Sequence, residues 1–248
     1  MKQNDRARPT QPNPHREDAL AMCRQLRDDL GHARRVAAYA TTLFDACAGH
    51  LHQDFLSPDD LFARLSLAAW LHDIGKIVAF EQHQEHSRYL VENSAHTRNW
   101  DAALRADVAA LCAVHRRRFR RNWRKKRLRG QLGLLQMAAL LRIADGLDRS
   151  HETGVTILAS MERDALYLKT HGLRQDDGDR LLSRKADVFE DAFDRPLVLF
   201  AAANALSGIR SPAQRTLSHV PLADCAAPAG EPDNPRLPQR VLQSDRDK

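Results

Sequence analysis

Between residues 16 and 151 the apolar positions recur at threes and fours almost without a break, the period of helices that bury one face. Leu26, Leu30, Val36, Ala37, Ala40, Leu43 and Phe44 mark the first such face. Ser57-Pro58-Asp59-Asp60 reads as a helix start, with a hydroxyl cap, proline at the first helical position and carboxylates facing the positive end of the helix dipole. The helix it opens runs through Leu61, Leu65, Leu67, Ala68 and Leu71 and stops near Gly75. Further helices are predicted over residues 85–93, 101–118 and 131–147. Near Gly154 the period shortens to two. Residues 155–158 and 165–170 read as strands joined by a turn at 162–164, followed by a polar loop over 172–178, a helix over 181–193 and a strand over 196–200. The predicted fold is therefore mainly α. A helical bundle over 16–151 precedes a small β-β-α-β (α+β) appendage over 152–205, too small to be stable unless it packs on the bundle. The ends, 1–15 and 206–248, are rich in proline and charge and are predicted to be disordered.

The chain of 248 residues is 43% hydrophobic, enough for a sizeable core, and no apolar run approaches the ~20 residues that span a bilayer. The amino terminus lacks the apolar centre of a signal peptide, so a cytoplasmic protein without membrane attachment is expected. Cys23, Cys47, Cys112 and Cys225 show no paired spacing, which argues for reduced thiols and against a zinc–cysteine site. The net charge of +6 is local in origin. Residues 116–129 carry ten basic side chains and no acidic one, so the rest of the chain is net acidic. Phe119 and Trp123, four apart within the run, are suited to stacking on bases or to anchoring a solvated loop. Arg116, Arg117, Arg118, Arg120, Arg121, Arg124, Lys125, Lys126 and Arg127 thus form a candidate polyanion rim.

The run Leu71-His72-Asp73-Ile74-Gly75-Lys76 places a histidine and an aspartate at the end of an apolar helix. Alone, such a pair is most often a solvated cap. Here His32, His86, His115 and Asp145 each sit on other apolar helical segments and complete a possible ligand set. Imidazoles mixed with carboxylates suit Mn, Mg, Fe, Co or Zn, in octahedral more readily than tetrahedral geometry. His83 competes with His86, and His86 is preferred because it opens the next predicted helix. His50, His52, His96, His151, His171 and His219 lack such context and are read as solvated.

The order His32, His72-Asp73, Asp145 on successive helices resembles the signature of the HD-domain metal-dependent phosphohydrolase superfamily. More narrowly, residues 24–200 resemble the C-terminal half of the exopolyphosphatase/guanosine pentaphosphate phosphatase (Ppx/GppA) family. The shared text includes His32-x-x-x-Val36-Ala37, Ala68-Ala69-x-Leu71-His72-Asp73-Ile74-Gly75, His86-Ser87-x-Tyr89-Leu90, His115-Arg116 and Leu141-Arg142-Ile143-Ala144-Asp145-x-Leu147-Asp148-Arg149-Ser150. The actin-like ATPase-type domains that carry that family's recognised phosphatase site have no counterpart in this sequence, so exopolyphosphatase activity is not expected to transfer.

The resemblance implies an HD-type helical bundle in which His32, His72, Asp73 and Asp145 hold one divalent ion. Asp73 would bridge to a second ion completed by His86 and His115. It also implies catalytic roles for Asp73 and Lys76. Lys76, Arg116, Arg117, Arg142 and Arg149 would receive phosphate charge, Arg142 and Arg149 from one face of the helix that carries Asp145. The expected activity is metal-assisted hydrolysis of a phosphoester or phosphoanhydride, on a phosphorylated small molecule, nucleotide or polyphosphate. The alternatives are a regulatory domain that binds polyphosphate or an alarmone nucleotide without cleaving it, and nucleic-acid binding through the basic run. A homodimer is compatible with each.

Overall fold

The computed structural model describes residues 13–26, 29–116, 122, 126–149 and 155–202. Helices α1 (Arg16–Gln25), α2 (Leu30–Cys47), α3 (Pro58–Leu71), α4 (His83–Asn93), α5 (Ala102–Val114) and α6 (Leu132–Leu147) build the bundle. The starts of three follow from their caps. Asp29 accepts from the backbone N–H of His32 to open α2, Ser57 and Asp60 form a reciprocal capping box on α3, and Asp101 accepts from Ala103 and Leu104 on α5. Helix α6 is the axis of the core. Residues 133–144 are all buried, so this helix is apolar on every side, as a surrounded helix must be. Helices α2, α3 and α5 pack around it, which leaves the facing ends of α2, α3, α5 and α6 close together.

Two boundaries differ from the sequence reading, and both bear on the site. Helix α4 begins at His83, because Gln82 adopts a left-handed conformation (φ 56°) that turns the chain just before it. Helix α5 ends at Val114 with His115 at its cap, so the basic run is not a continuation of that helix. Within the amino-terminal end expected to be disordered, residues 13–15 are described, and the His15 ring lies 5.3 Å from that of Trp100.

The appendage is a three-stranded sheet in the order β1 (Thr156–Met161), β2 (Leu166–His171), β3 (Leu197–Ala202). β1 and β2 are antiparallel, β2 and β3 parallel, with Leu158 opposite Lys169 and Lys169 opposite Phe200. The crossover between β2 and β3 was read as one helix over 181–193. It consists of α7 (Gln175–Arg184), a 3-10 turn (Ala186–Val188) and α8 (Phe189–Phe193). The break places Asp187 against Arg142 of α6 at 2.7 Å. β1 packs on α2, and α7 and α8 pack on α6, so Leu166, Leu168, Leu181, Phe189 and Phe193 extend the bundle's core. Cys23, Cys47 and Cys112 are buried and form no disulfide among the described residues, whereas Cys225 lies outside them. So do most of the predicted terminal segments, His151 and His219. Among the described residues no helix is long and apolar enough to cross a membrane.

Candidate metal and phosphate site

The end of α3 makes the corner of the site. His72 caps that helix, Asp73 follows, and the chain enters a 3-10 turn over Ile74–Ile77. The turn docks on α4 through Gly75, whose N–H donates to Ser87 Oγ (2.9 Å). A Cβ at Gly75 would lie 2.2 Å from the His83 carbonyl and 2.4 Å from the Ser87 nitrogen, so only glycine permits this approach. The consequence is functional: the approach brings His83 beside Asp73.

Six side chains that could ligate a metal converge there: His32 from α2, His72 and Asp73 from the corner, His83 from α4, His115 from the end of α5 and Asp145 from α6. The Asp73 carboxylate stands between two imidazole pairs. Its Oδ2 lies 3.3 Å from His32 Nε2 and 3.5 Å from His72 Nε2. Its Oδ1 lies 2.9 Å from His83 Nε2 and 3.4 Å from His115 Nε2. Asp145 Oδ1 faces both His32 and His72 at 3.7 Å.

The opposite ring nitrogens explain why Nε2 points inward. Nδ1 of His72, His83 and His115 each meets the carbonyl three residues earlier, those of Ala69 (2.9 Å), Phe80 (2.9 Å) and Cys112 (2.7 Å). Nδ1 of His32 meets Asp148 Oδ2 at 2.6 Å, and Asp148 in turn accepts from Arg35. At His72 and His115, where Nδ1 meets only a carbonyl and so carries the proton, Nε2 offers its lone pair to the cluster, the arrangement that orients imidazoles on metals. His32 and His72 then face each other at 3.1 Å, and His83 and His115 at 3.3 Å. Two facing lone pairs repel, so a proton or a cation must lie beside each pair; without an ion the second proton of His32 serves the first pair, and an ion would displace it. Neighbouring ligands on one ion with bonds of about 2.1 Å are about 3.0 Å apart at right angles. Two groups of donor atoms are spaced so that they could hold a divalent ion, His32–His72–Asp145 and His72–Asp73–His115, and they share His72, which can serve one ion only.

Protonation follows the same geometry. Burial opposes charge on His32, but the Asp148 and Asp73 hydrogen bonds and the Asp145 charge outweigh it and push its pKa up to about 9. Burial pushes His115 down to about 4. Burial also opposes charge on Asp73 and Asp145. The neighbouring His72 and the His115 hydrogen bond hold Asp73 well below the usual carboxylate range, and Lys185 and His72 do so for Asp145. Two ammonium groups complete the picture: Lys76 on Asp73 Oδ2 and Lys185 on Asp145 Oδ2.

The cluster opens into a cavity of about 270 Å³ with Asp73, His83, His115 and Asp145 on its floor. Lys76, Phe80, Arg116, Arg149, Arg180 and Arg184 stand around it. Arg149, Arg180 and Arg184 are exposed and pair with no carboxylate among the described residues. Arg116 donates to the Phe80 carbonyl (3.2 Å), approaches His83 Nδ1 (2.9 Å) and lies 4.9 Å over the Phe80 ring.

The structure brings His32, His72, Asp73, His115, Asp145, Lys76, Arg116 and Arg149 together as the sequence suggested, and it corrects three other positions. His86 is absent from the cluster and cavity. Because α4 starts at His83, that residue takes the place beside Asp73, and His86 lies three residues further along the helix. Arg142 does not face the cavity. It is wholly buried and donates to Val114 O (2.9 Å), Arg184 O (3.0 Å) and Asp187. Arg127 is held in a bidentate pair with Glu85, at 2.8 and 3.1 Å, rather than standing on an open rim. Arg129 similarly pairs with Asp107. Arg117, Arg118, Arg120, Arg121, Arg124 and Lys125 lie outside the described residues, and Lys126 is exposed. Arg35, Asp148, Arg180, Arg184 and Lys185 were not assigned from the sequence. Asp148 stood within a quoted motif, but an aspartate three residues past a ligand carries no signal of which imidazole it orients.

The class that fold and site define is a mainly helical domain with a buried histidine–aspartate cluster under a cationic cavity. Residues 16–175 match the family model for Ppx/GppA phosphatase, domain III, and the chain belongs to that family. A comparison with curated proteins gives no match.

Proposed function

We propose that this protein is an HD-type metal-dependent phosphohydrolase acting on a phosphoester or phosphoanhydride. The observation that carries the proposal is the Asp73 carboxylate, whose two oxygens face separate imidazole pairs beneath a cavity edged by cations. His32, His72, Asp73 and Asp145 would hold one divalent ion, and His83 and His115 with Asp73 a second. Such ions acidify water and polarise a phosphoryl oxygen. The chain's own residues do the rest. Asp148 and the Ala69, Phe80 and Cys112 carbonyls fix the imidazole orientations. Arg149, Arg180 and Arg184 receive the negative charge of the substrate, with bidentate geometry available to each guanidinium. Lys76 meets the charge on the reacting phosphoryl group. Phe80, pinned by Arg116, narrows the mouth.

The test is turnover of a panel of nucleotide, phosphodiester and polyphosphate substrates with added Mn²⁺, in the wild type and in Asp73→Asn. Hydrolysis that needs the metal and is lost in the variant supports the proposal. Turnover that persists unchanged in Asp73→Asn defeats it.

A second reading is a binding domain that holds polyphosphate or an alarmone nucleotide without cleavage. The Lys76 and Lys185 ammonium groups favour it, since each already neutralises a carboxylate of the cluster. It predicts anion binding that survives His72→Ala and is indifferent to metal.

A further inference from the structure

One cation at the site comes from outside the bundle. Lys185 follows the last turn of α7 in the appendage, and its ammonium pairs with Asp145 Oδ2 while donating to the His115 carbonyl at 3.1 Å. Its side chain is only 16% exposed. It therefore touches two of the six clustered residues, one through the carboxylate and one through the backbone.

The approach is built into α6. A Cβ at Gly146, next to Asp145, would lie 2.6 Å from Leu181 Cδ1 and 3.2 and 3.4 Å from the Lys185 Cγ and Cβ. The bare backbone of Gly146 is thus what admits the end of α7 and the stem of Lys185 to the edge of the cluster. Asp145 is left with one oxygen toward His32 and His72 and the other toward Lys185.

Charge makes these two engagements antagonistic. Asp73 and Asp145 together carry two negative charges, already matched by Lys76 and Lys185. A divalent ion among His32, His72 and Asp145 would bring two positive charges beside the Lys185 ammonium in a poorly screened interior. The ion gains from an Asp145 carboxylate whose charge is uncompensated, and the lysine compensates it.

Resting on the metal-centre reading above, we propose that Lys185 is a positioning residue that neutralises Asp145 from the oxygen opposite the ion's seat and so competes with the divalent ion for the charge of that carboxylate. The appendage thereby sets the metal affinity of the bundle. By reciprocity, the ion loosens the end of α7 as much as Lys185 weakens the ion. Arg180 and Arg184 project from the same helix into the same cavity, so an anion entering there offers Lys185 another partner and releases Asp145. Anion and metal ion then bind with positive cooperativity.

The experiment is a Mn²⁺ titration, followed by calorimetry, of the full chain as wild type, Lys185→Met and Lys185→Arg. Lys185→Met binds Mn²⁺ at least about tenfold more tightly than wild type, the scale on which residues behind metal ligands act. Lys185→Arg stays near the wild-type value, because it restores the cation. Hydrogen exchange on the wild type gives a reading that needs no variant: saturating Mn²⁺ speeds exchange across residues 175–185. Equal or weaker Mn²⁺ binding by Lys185→Met, with wild-type binding intact, overturns the competition and leaves the metal centre standing. Unchanged exchange over 175–185 on saturation overturns it equally. No Mn²⁺ binding by any of the three proteins overturns both.

Discussion

Replacing Arg142 with methionine separates a structural arginine from a substrate-binding one. The guanidinium is wholly buried in α6 and gives one hydrogen bond to the end of α5 at Val114 O, one to the end of α7 at Arg184 O and one to Asp187. It is thus one of several fastenings of the appendage to the bundle. Methionine keeps most of the apolar stem but supplies no donor. Each carbonyl left buried without a partner costs about 1–3 kcal/mol, and the charge-assisted bond to Asp187 is of similar size. The Asp187 side chain is 24% exposed and can recover hydration, which discounts its share. The loss expected is about 3–5 kcal/mol, in the range for breaking a buried pair from one side. At about 2–4 °C per kcal/mol for a chain of this size, the midpoint falls by about 6–20 °C. Scanning calorimetry reads it directly. The companion, Arg149→Met, removes an exposed guanidinium at the cavity: its midpoint stays within about 2 °C and phosphate affinity falls several-fold. An Arg142→Met protein of wild-type stability with weakened phosphate binding would refute this assignment.

Three further outcomes follow from the same geometry. His83→Ala lowers the Mn²⁺ bound per chain, whereas His86→Ala leaves it unchanged, as measured by equilibrium dialysis and elemental analysis. Gly75→Ala drives a methyl group into the backbone of α4, costs about 1–3 kcal/mol or more in thermal unfolding, and weakens Mn²⁺ binding by displacing His83. Burial pushes the Cys47 thiol up to about 12 and the Cys112 thiol higher than its ordinary value, so both stay protonated at pH 8. Native protein treated with iodoacetamide at that pH therefore carries no label on either in peptide mass spectra, and denatured protein carries it on both.

Much of the fold was legible because local chemistry and tertiary need agree. The Ser57-Pro58-Asp59-Asp60 start became a reciprocal capping box, and the unbroken apolar text of residues 132–147 became the surrounded central helix. The site was legible where histidines and carboxylates interrupt apolar helices, as His32, His115 and Asp145 do. It was not legible where the deciding event is a single backbone turn. Gln82 in the left-handed region starts α4 early and selects His83 over His86, and glutamine announces no such turn. Nor could the sequence bring in the appendage. Arg180, Arg184 and Lys185 carry no spacing that assigns them to a site, and only the close contact at Gly146 brings the end of α7 to Asp145. Arg142 misled for the opposite reason. An arginine in an apolar run signals a special role, but its acceptors are carbonyls at the ends of α5 and α7 that no spacing reveals.

The central claim is that Asp73 bridges cation seats between two imidazole pairs. Anomalous diffraction at the manganese edge, from crystals of the full chain grown with Mn²⁺, tests it most directly. The account predicts density beside Asp73 and within bonding distance of His32, His72 and Asp145, with His83 and His115 completing any second position. No manganese among these residues, with Lys76 and Lys185 still paired to Asp73 and Asp145, would contradict it.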